Sequence, residues 1–213
     1  MVTAVAKHDG CVLHLLTLSY GQRHQVELEG AKRMAQVMGA ASHLVLPLDL
    51  RAIGASALTG QQAVPKDRPA RERTGGIPPT YVPARNTIFL ALAAAYAETL
   101  KASRIYFGAN VIDYSGYPDC RPEYLRAFEQ VLRLGTKAGV EGRPVEIKTP
   151  LLMMTKADII RLGLSLAAPL HLTHSCYDPS ADGKACGRCD SCLIRLEGFR
   201  EAGTTDPIVY VSA

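Results

Sequence analysis

The sequence predicts an α/β protein: a doubly wound parallel sheet with helices on both faces, closed by a C-terminal zinc-binding segment. Two observations carry the sheet. Apolar runs of strand length alternate with stretches of helical periodicity, and crossovers through helices make neighbouring strands parallel. A third observation carries the zinc: four of the six cysteines, Cys176, Cys186, Cys189 and Cys192, fall within the last 40 or so residues.

Residues 12–18 (VLHLLTL) read as a buried strand between Gly10 and Gly21. Residues 24–38 place Val26, Ala31, Met34, Ala35 and Met38 at helical spacing, and Gly39 ends them. Residues 44–48 form a second strand. A polar stretch follows, with Gly60, Pro65, Pro69, Gly75, Gly76, Pro78 and Pro79, too long for a simple connector and a candidate lid or binding loop. Residues 86–101 are an Ala-rich apolar helix, expected to be buried on most of its surface. Residues 104–108 (RIYFG) are a third strand. Pro122 opens the next helix, where its missing N–H costs nothing. Residues 145–148 are a fourth strand, and Thr155 with Asp158 resembles a capping box for the helix TKADIIRLG. A last helix runs near residues 192–202.

The 213 residues allow one large domain or a domain with an appendage, and 47% hydrophobic content supports a full core. Residues 1–170 are assigned to the α/β domain and 171–213 to the zinc segment. A net charge of +4, with no Lys/Arg run, suits an anionic small molecule and gives no sign of nucleic-acid binding. The longest apolar stretch, residues 88–97, is too short for a bilayer, and the start lacks a cationic n-region, so a cytoplasmic protein without a membrane partner is expected.

The string CGRCDSC presents thiolates in overlapping C-x2-C loops, and Cys176 lies ten positions upstream. Zn2+ takes four such ligands in a tetrahedron. A disulfide knot and an iron–sulfur cluster are the alternatives. Four cysteines close the coordination sphere, so the zinc is structural and the chemistry lies elsewhere. Ligands on parallel sheets bind beyond the C-terminal ends of the strands. That rule points to Ser19-Tyr20-Gly21-Gln22-Arg23-His24, to Ala109-Asn110-Val111-Ile112-Asp113-Tyr114-Ser115, and to Thr149-Pro150.

These segments resemble the 7-cyano-7-deazaguanine synthase family. The matching strings are LTLSYGQRHQVELEGAK, TYVPARN, DYSGYPDCRPEYLRAFE, TPLLMMTKADI and CYDPSADGKACGRCDSC, collinear over most of the chain. The resemblance implies an adenine-nucleotide α-hydrolase-like fold, zinc on the four cysteines, and ATP with Mg2+. It also implies a homodimer. The family reaction turns 7-carboxy-7-deazaguanine and ammonia into the nitrile through an adenylated carboxylate, an amide and an adenylated amide. The family opens with a strand and an S-G-G-x-D-S phosphate loop that this sequence does not contain. Residues 2–7 look like the helix that follows that loop. The expectation is therefore a shortened start that leaves two strand edges unpaired. A paralogue without ATPase activity, acting as a zinc-stabilised purine-binding module, and a different tRNA-modifying enzyme are the alternatives. Ala84 stands where the family usually has glycine, so that turn is expected to be right-handed or strained.

On this resemblance Arg23, Arg85 and Lys156 are the cations expected to meet phosphate. Arg85 and Lys156 both sit at helix starts, against the dipole, which asks for another reason to be there. Tyr20, Asp113, Tyr114 and Asp119 are expected to bind the deazapurine, a carboxylate reading its N1–H and 2-amino edge and an aromatic ring covering its face. Asp113 is preferred because it is nearer the strand end. His24 is a possible proton carrier or a helix-start packing residue, and Cys120 is not needed as a nucleophile.

Overall fold

The computed structural model describes the chain except residues 23–25, 55, 74–75, 113–115 and 213. It is built from two parallel βαβ units. In the first, β1 (His14–Ser19) runs into α2 (Val26–Met38) and then β2 (Ser42–Pro47). The strands pair from His14 opposite Ser42 to Ser19 opposite Pro47. In the second, β3 (Arg104–Tyr106) is followed by α5 (Pro122–Gly135), α6 (Lys137–Val140) and β4 (Glu146–Lys148), and β3 pairs with β4 in parallel.

The N-terminal helix α1 (Val2–His8) precedes β1. Its C-terminal turn closes through Cys11 N donating to Ala6 O, leaving Val12 75% exposed. This is why β1 starts at His14 and not at the expected residue 12. The short helix α3 (Ala70–Arg73) lies in the long polar stretch, and α4 (Arg85–Leu100) is the Ala-rich helix. Helices α7 (Lys156–Ser165) and α8 (Asp190–Glu201) finish the chain. The capping box at α7 forms as expected: Thr155 Oγ1 accepts from Asp158 N at 3.1 Å, and Thr155 N donates back to the Asp158 carboxylate.

Among the described residues the four strands make two separate two-stranded sheets. Between them lies an apolar cavity of about 560 Å³. Leu13, Leu16 and Leu18 of the β1 region, Ile105 and Phe107 of the β3 region, Ala6 of α1 and Leu90 of α4 all line it. So β1 and β3 border one slot without pairing.

The main core packs α4 and α5 against β4 through Leu90, Ala94, Leu125, Phe128, Leu132 and Ile147. Helix α4 is therefore buried on the side of that core and borders the slot with Phe89, Ala93 and Tyr96. Smaller cores join Ala4, Ala6, Leu13 and Met38, and join Ile160, Leu170 and Phe199 between α7 and α8. No helix among the described residues is long and apolar enough to cross a membrane.

Candidate functional site

A second cavity, of about 500 Å³, opens beyond β3 and β4 between the start of α4, α7 and α8. Its floor is the segment after β3, Phe107 to Asn110. The Asn110 side-chain amide donates to Leu151 O at 2.8 Å and Met154 O at 2.7 Å, fastening that segment to the one after β4. The polar stretches that follow these two strands thus meet, as parallel-sheet topology requires.

Arg85 and Lys156 both line this cavity. Arg85 is the first residue of α4, and its guanidinium lies near three rings, 5.8 Å from the Tyr20 centroid, 5.9 Å from Phe89 and 6.0 Å from Tyr117. It also donates to Tyr20 Oη at 3.4 Å. Burial works against its charge, but the oxygens of Tyr20, Tyr117 and Tyr177 outweigh burial and raise its pKa. Among the described residues it makes no ion pair within 4 Å. Glu27 of α2 senses this cation: its own pKa is raised by burial and drawn back by Arg85. A cation held by ring faces, with no carboxylate of the described residues neutralising it at contact, is well suited to an anionic ligand.

Two expected substrate residues stand elsewhere. Tyr20 is 7% exposed and lies behind Arg85, edge-on to Phe89, so it supports the cation from outside the cavity lining. Asp119 is 5% exposed, and its carboxylate is occupied by Asn86. Oδ2 accepts from Asn86 N at 3.0 Å and Oδ1 from Asn86 Nδ2 at 3.3 Å. Asp119 thus serves the start of α4. Arg23, His24, Asp113 and Tyr114 lie outside the described residues. Cys120 borders the cavity, but burial and the neighbouring Asp119 push its thiol up to about 11, which leaves it protonated and poorly nucleophilic.

Asp190 is the one carboxylate among the described lining residues, and it is not among the residues expected from the sequence. In the sequence it stands inside CGRCDSC, where the spacing of the cysteines is the dominant signal. Arg68, on the long polar stretch, grips it with Nε at 3.1 Å and with Nη2. Ser175, Tyr177 and Ser191 line the same end of the cavity. Arg195 is also on the wall, but its donors are taken by Asp206, Thr173, Ser175 and Leu170 O.

The four cysteines of the C-terminal segment converge, their sulfurs all within 4.8 Å of one another. A tetrahedral zinc–thiolate site has sulfur–sulfur edges of about 3.8 Å, so the cluster fits the ion with slight contraction. Backbone N–H groups already point at the sulfurs. Cys176 Sγ accepts from Cys186 N and Asp178 N, and Cys186 Sγ from Arg188 N and Cys189 N. Such donors stabilise thiolates. Hydrogen bonds from Cys176 and Cys192 draw Cys189 far below the usual thiol range. The polar stretch is strapped onto this segment by a Lys66–Cys189 bridge and by ion pairs Lys66–Asp178 and Arg188–Asp67. This stretch, a candidate lid or binding loop, is tied to the cysteine segment over residues 66–68.

A family profile described as queuosine biosynthesis protein QueC matches residues 1–203. Proteins named 7-cyano-7-deazaguanine synthase are similar over nearly the whole chain. That of Anaeromyxobacter sp. (strain Fw109-5) is 58% identical over 209 residues, covering 98% of this chain and 89% of that protein. That of Kineococcus radiotolerans is 54% identical over 212 residues, covering 100% and 93%. That of Myxococcus xanthus is 54% identical over 210 residues, covering 99% and 91%.

Proposed function

The chain belongs to the queuosine biosynthesis protein QueC family, and we propose that the cavity between α4, α7 and α8 is where it makes 7-cyano-7-deazaguanine. The observation that carries the site is that Arg85 and Lys156, far apart in sequence, line one cavity with a carboxylate and two tyrosines. The alternatives, a purine-binding module and another tRNA-modifying enzyme, lose ground to relatives 54–58% identical that share one synthase name.

The substrates are 7-carboxy-7-deazaguanine, ammonia and two molecules of ATP. The ring carboxylate attacks the α-phosphorus of ATP and pyrophosphate leaves. Ammonia then attacks the acyl carbon, loses a proton and expels AMP, giving the amide. The amide oxygen attacks a second ATP, pyrophosphate leaves again, and loss of AMP with the remaining N–H protons forms the nitrile. In each activation negative charge grows on the leaving pyrophosphate. Arg85 and Lys156 are placed to stabilise it, and Arg23, which follows β1, is read as a third cation. Asp190 accepts from the N1–H and 2-amino edge, sharing that role with Asp113, while Tyr117, Tyr177 and Tyr114 offer ring faces. Tyr20 acts through Arg85. Mg2+ accompanies ATP in such reactions, but the described lining residues offer it only Asp190, which is assigned to the deazapurine edge, so none of them is assigned to it.

The four cysteines hold a structural zinc that fixes the start of α8. The two β pairs are read as halves of one doubly wound sheet, residues 1–170 as the catalytic domain and 171–213 as its zinc segment. Reduced thiols favour the cytoplasm, and the family resemblance favours a homodimer. The test is mass spectrometry of the zinc-loaded protein with 7-carboxy-7-deazaguanine, ammonium, Mg2+ and ATP. The nitrile should appear with AMP and pyrophosphate in twofold excess over it. Formation of AMP without amide or nitrile, or binding of the deazapurine without turnover, would overturn the reading.

A further inference from the structure

We infer that Gly198 of α8 is a positioning residue for Lys156, an inference that rests on the reading of Lys156 as a phosphate contact. Helices α7 and α8 pack along one another, and at their crossing the stem of Lys156 lies flat on Gly198. A Cβ on Gly198 would overlap Lys156 Cγ, come within 2.8 Å of Lys156 Cβ and within 3.1 Å of Ile160 Cδ1. Lys156 Cβ is fixed by the backbone, and Cγ can move only by turning the whole stem about χ1, unlike a flexible lysine tip. Gly198 has no unusual backbone need, since it lies inside a regular helix and its φ is not positive. Glycine there costs helix stability of about 1 kcal/mol relative to alanine. The close approach of the lysine stem accounts for glycine at this position.

The consequence is directional. Lys156 is the first residue of α7, where its charge opposes the dipole, and its stem is laid over Gly198 while the residue borders the cavity. Any side chain at 198 must turn the stem or part the helices, and either moves the ammonium relative to Arg85 across the cavity. Helix α8 is itself anchored at its start, because Cys189 is its N-cap and Cys192 lies in its first turn. The cysteine cluster therefore sets the helix on which the lysine rests.

A double-mutant cycle on the full zinc-loaded chain tests this, with ATP KM, kcat, calorimetric ATP binding and melting temperature measured for each protein. Gly198→Ala should raise the ATP KM and dissociation constant roughly tenfold or more with a smaller change in kcat, since a displaced contact of about 1 Å costs up to about 10²-fold. In the Lys156→Ala background the same substitution should change neither. Equal effects in both backgrounds, or none with Lys156 present, would overturn the positioning role alone. Lys156→Ala with unchanged ATP binding would overturn the phosphate reading and this inference with it. Should Gly198→Ala fail to fold, Lys156→Gly removes both overlapping lysine atoms, Cγ and Cβ, and must restore folding; no restoration counts against the contact.

Discussion

Asp119 caps a helix that begins 34 residues earlier: its Oδ2 accepts from Asn86 N, the second residue of α4, at 3.0 Å. The N-cap residue itself, Ala84, has no side chain that could do this, and it sits in the left-handed region at φ 51°. The expected strain at that turn is present, at about 1–2 kcal/mol for a residue with a Cβ. Asp119 supplies both the missing acceptor and a negative charge at the positive end of the helix.

Asp119→Ala should therefore destabilise the protein by about 1–3 kcal/mol, leaving Asn86 N and Nδ2 buried without that acceptor. Ala84→Gly should recover about 1 kcal/mol by relieving the turn. Urea unfolding of both variants measures the two effects, and a neutral Asp119→Ala would remove the capping argument. Because Arg85 is the next residue along, the first variant should also weaken ATP binding.

Arg85 makes the sharper functional prediction. Its planar guanidinium is wedged among Tyr20, Phe89 and Tyr117, a niche an ammonium cannot fill. Arg85→Lys and Arg85→Met should both lower kcat/KM roughly 10²–10³-fold, in the range seen for loss of one transition-state donor. Tyr20→Phe, which keeps the ring and removes only the 3.4 Å hydrogen bond, should cost far less. Steady-state kinetics on the three variants decide it; a Lys variant with near-normal activity would show that only charge matters there.

The parts legible in the sequence were local. The Thr155–Asp158 capping box, Pro122 at the start of α5 and the cysteine spacing each concern residues a few positions apart, and each formed as expected. Arg85 and Lys156 stand out in the sequence because a cation at a helix start opposes the dipole, which is again a local argument. What escaped depended on contacts across the chain. Asp119 reads as a loop carboxylate until Asn86 is brought beside it. Asp190 reads as a spacer between cysteines until α8 turns it into the cavity wall. The arrangement of the strands as two separate pairs was equally non-local: periodicity identifies β1 and β3 but cannot say that a slot of about 560 Å³ lies between them.

Asp206 gives a pH prediction with a definite sign. It lies at 3% side-chain exposure and accepts from Arg195 Nε at 2.6 Å and from Tyr210 Oη at 2.6 Å. Burial alone would raise its pKa, but the Arg195 and Tyr210 bonds outweigh burial and hold it below the usual carboxylate value. A depressed folded pKa contributes stability above the unfolded value, near 3.9, and that contribution is lost as pH falls through the folded value. Asp206→Asn should cost about 3–5 kcal/mol at pH 7, because Arg195 is left buried and unpaired. The difference from the parent should shrink steadily below about pH 4. Acid also protonates the cysteines, but in both proteins alike, so the difference isolates Asp206. A gap that stays constant from pH 7 to pH 3 would mean that Asp206 is not the titrating group.

The cysteine cluster is expected to be linked to the fold more strongly than any single ion pair. Val64, Ala185, Ile208 and Tyr210 pack around its sulfurs, and α8 starts from it. Cys189→Ser should lose about one equivalent of zinc by elemental analysis. Structural zinc is linked to folding by roughly 10 kcal/mol in small domains, and even a third of that would lower the melting temperature of a chain this size on the order of 10 °C. Chelation of the parent protein should reproduce the loss, and added Zn2+ should reverse it. A metal-free variant that melts with the parent would show that the thiols pack this segment without needing the ion.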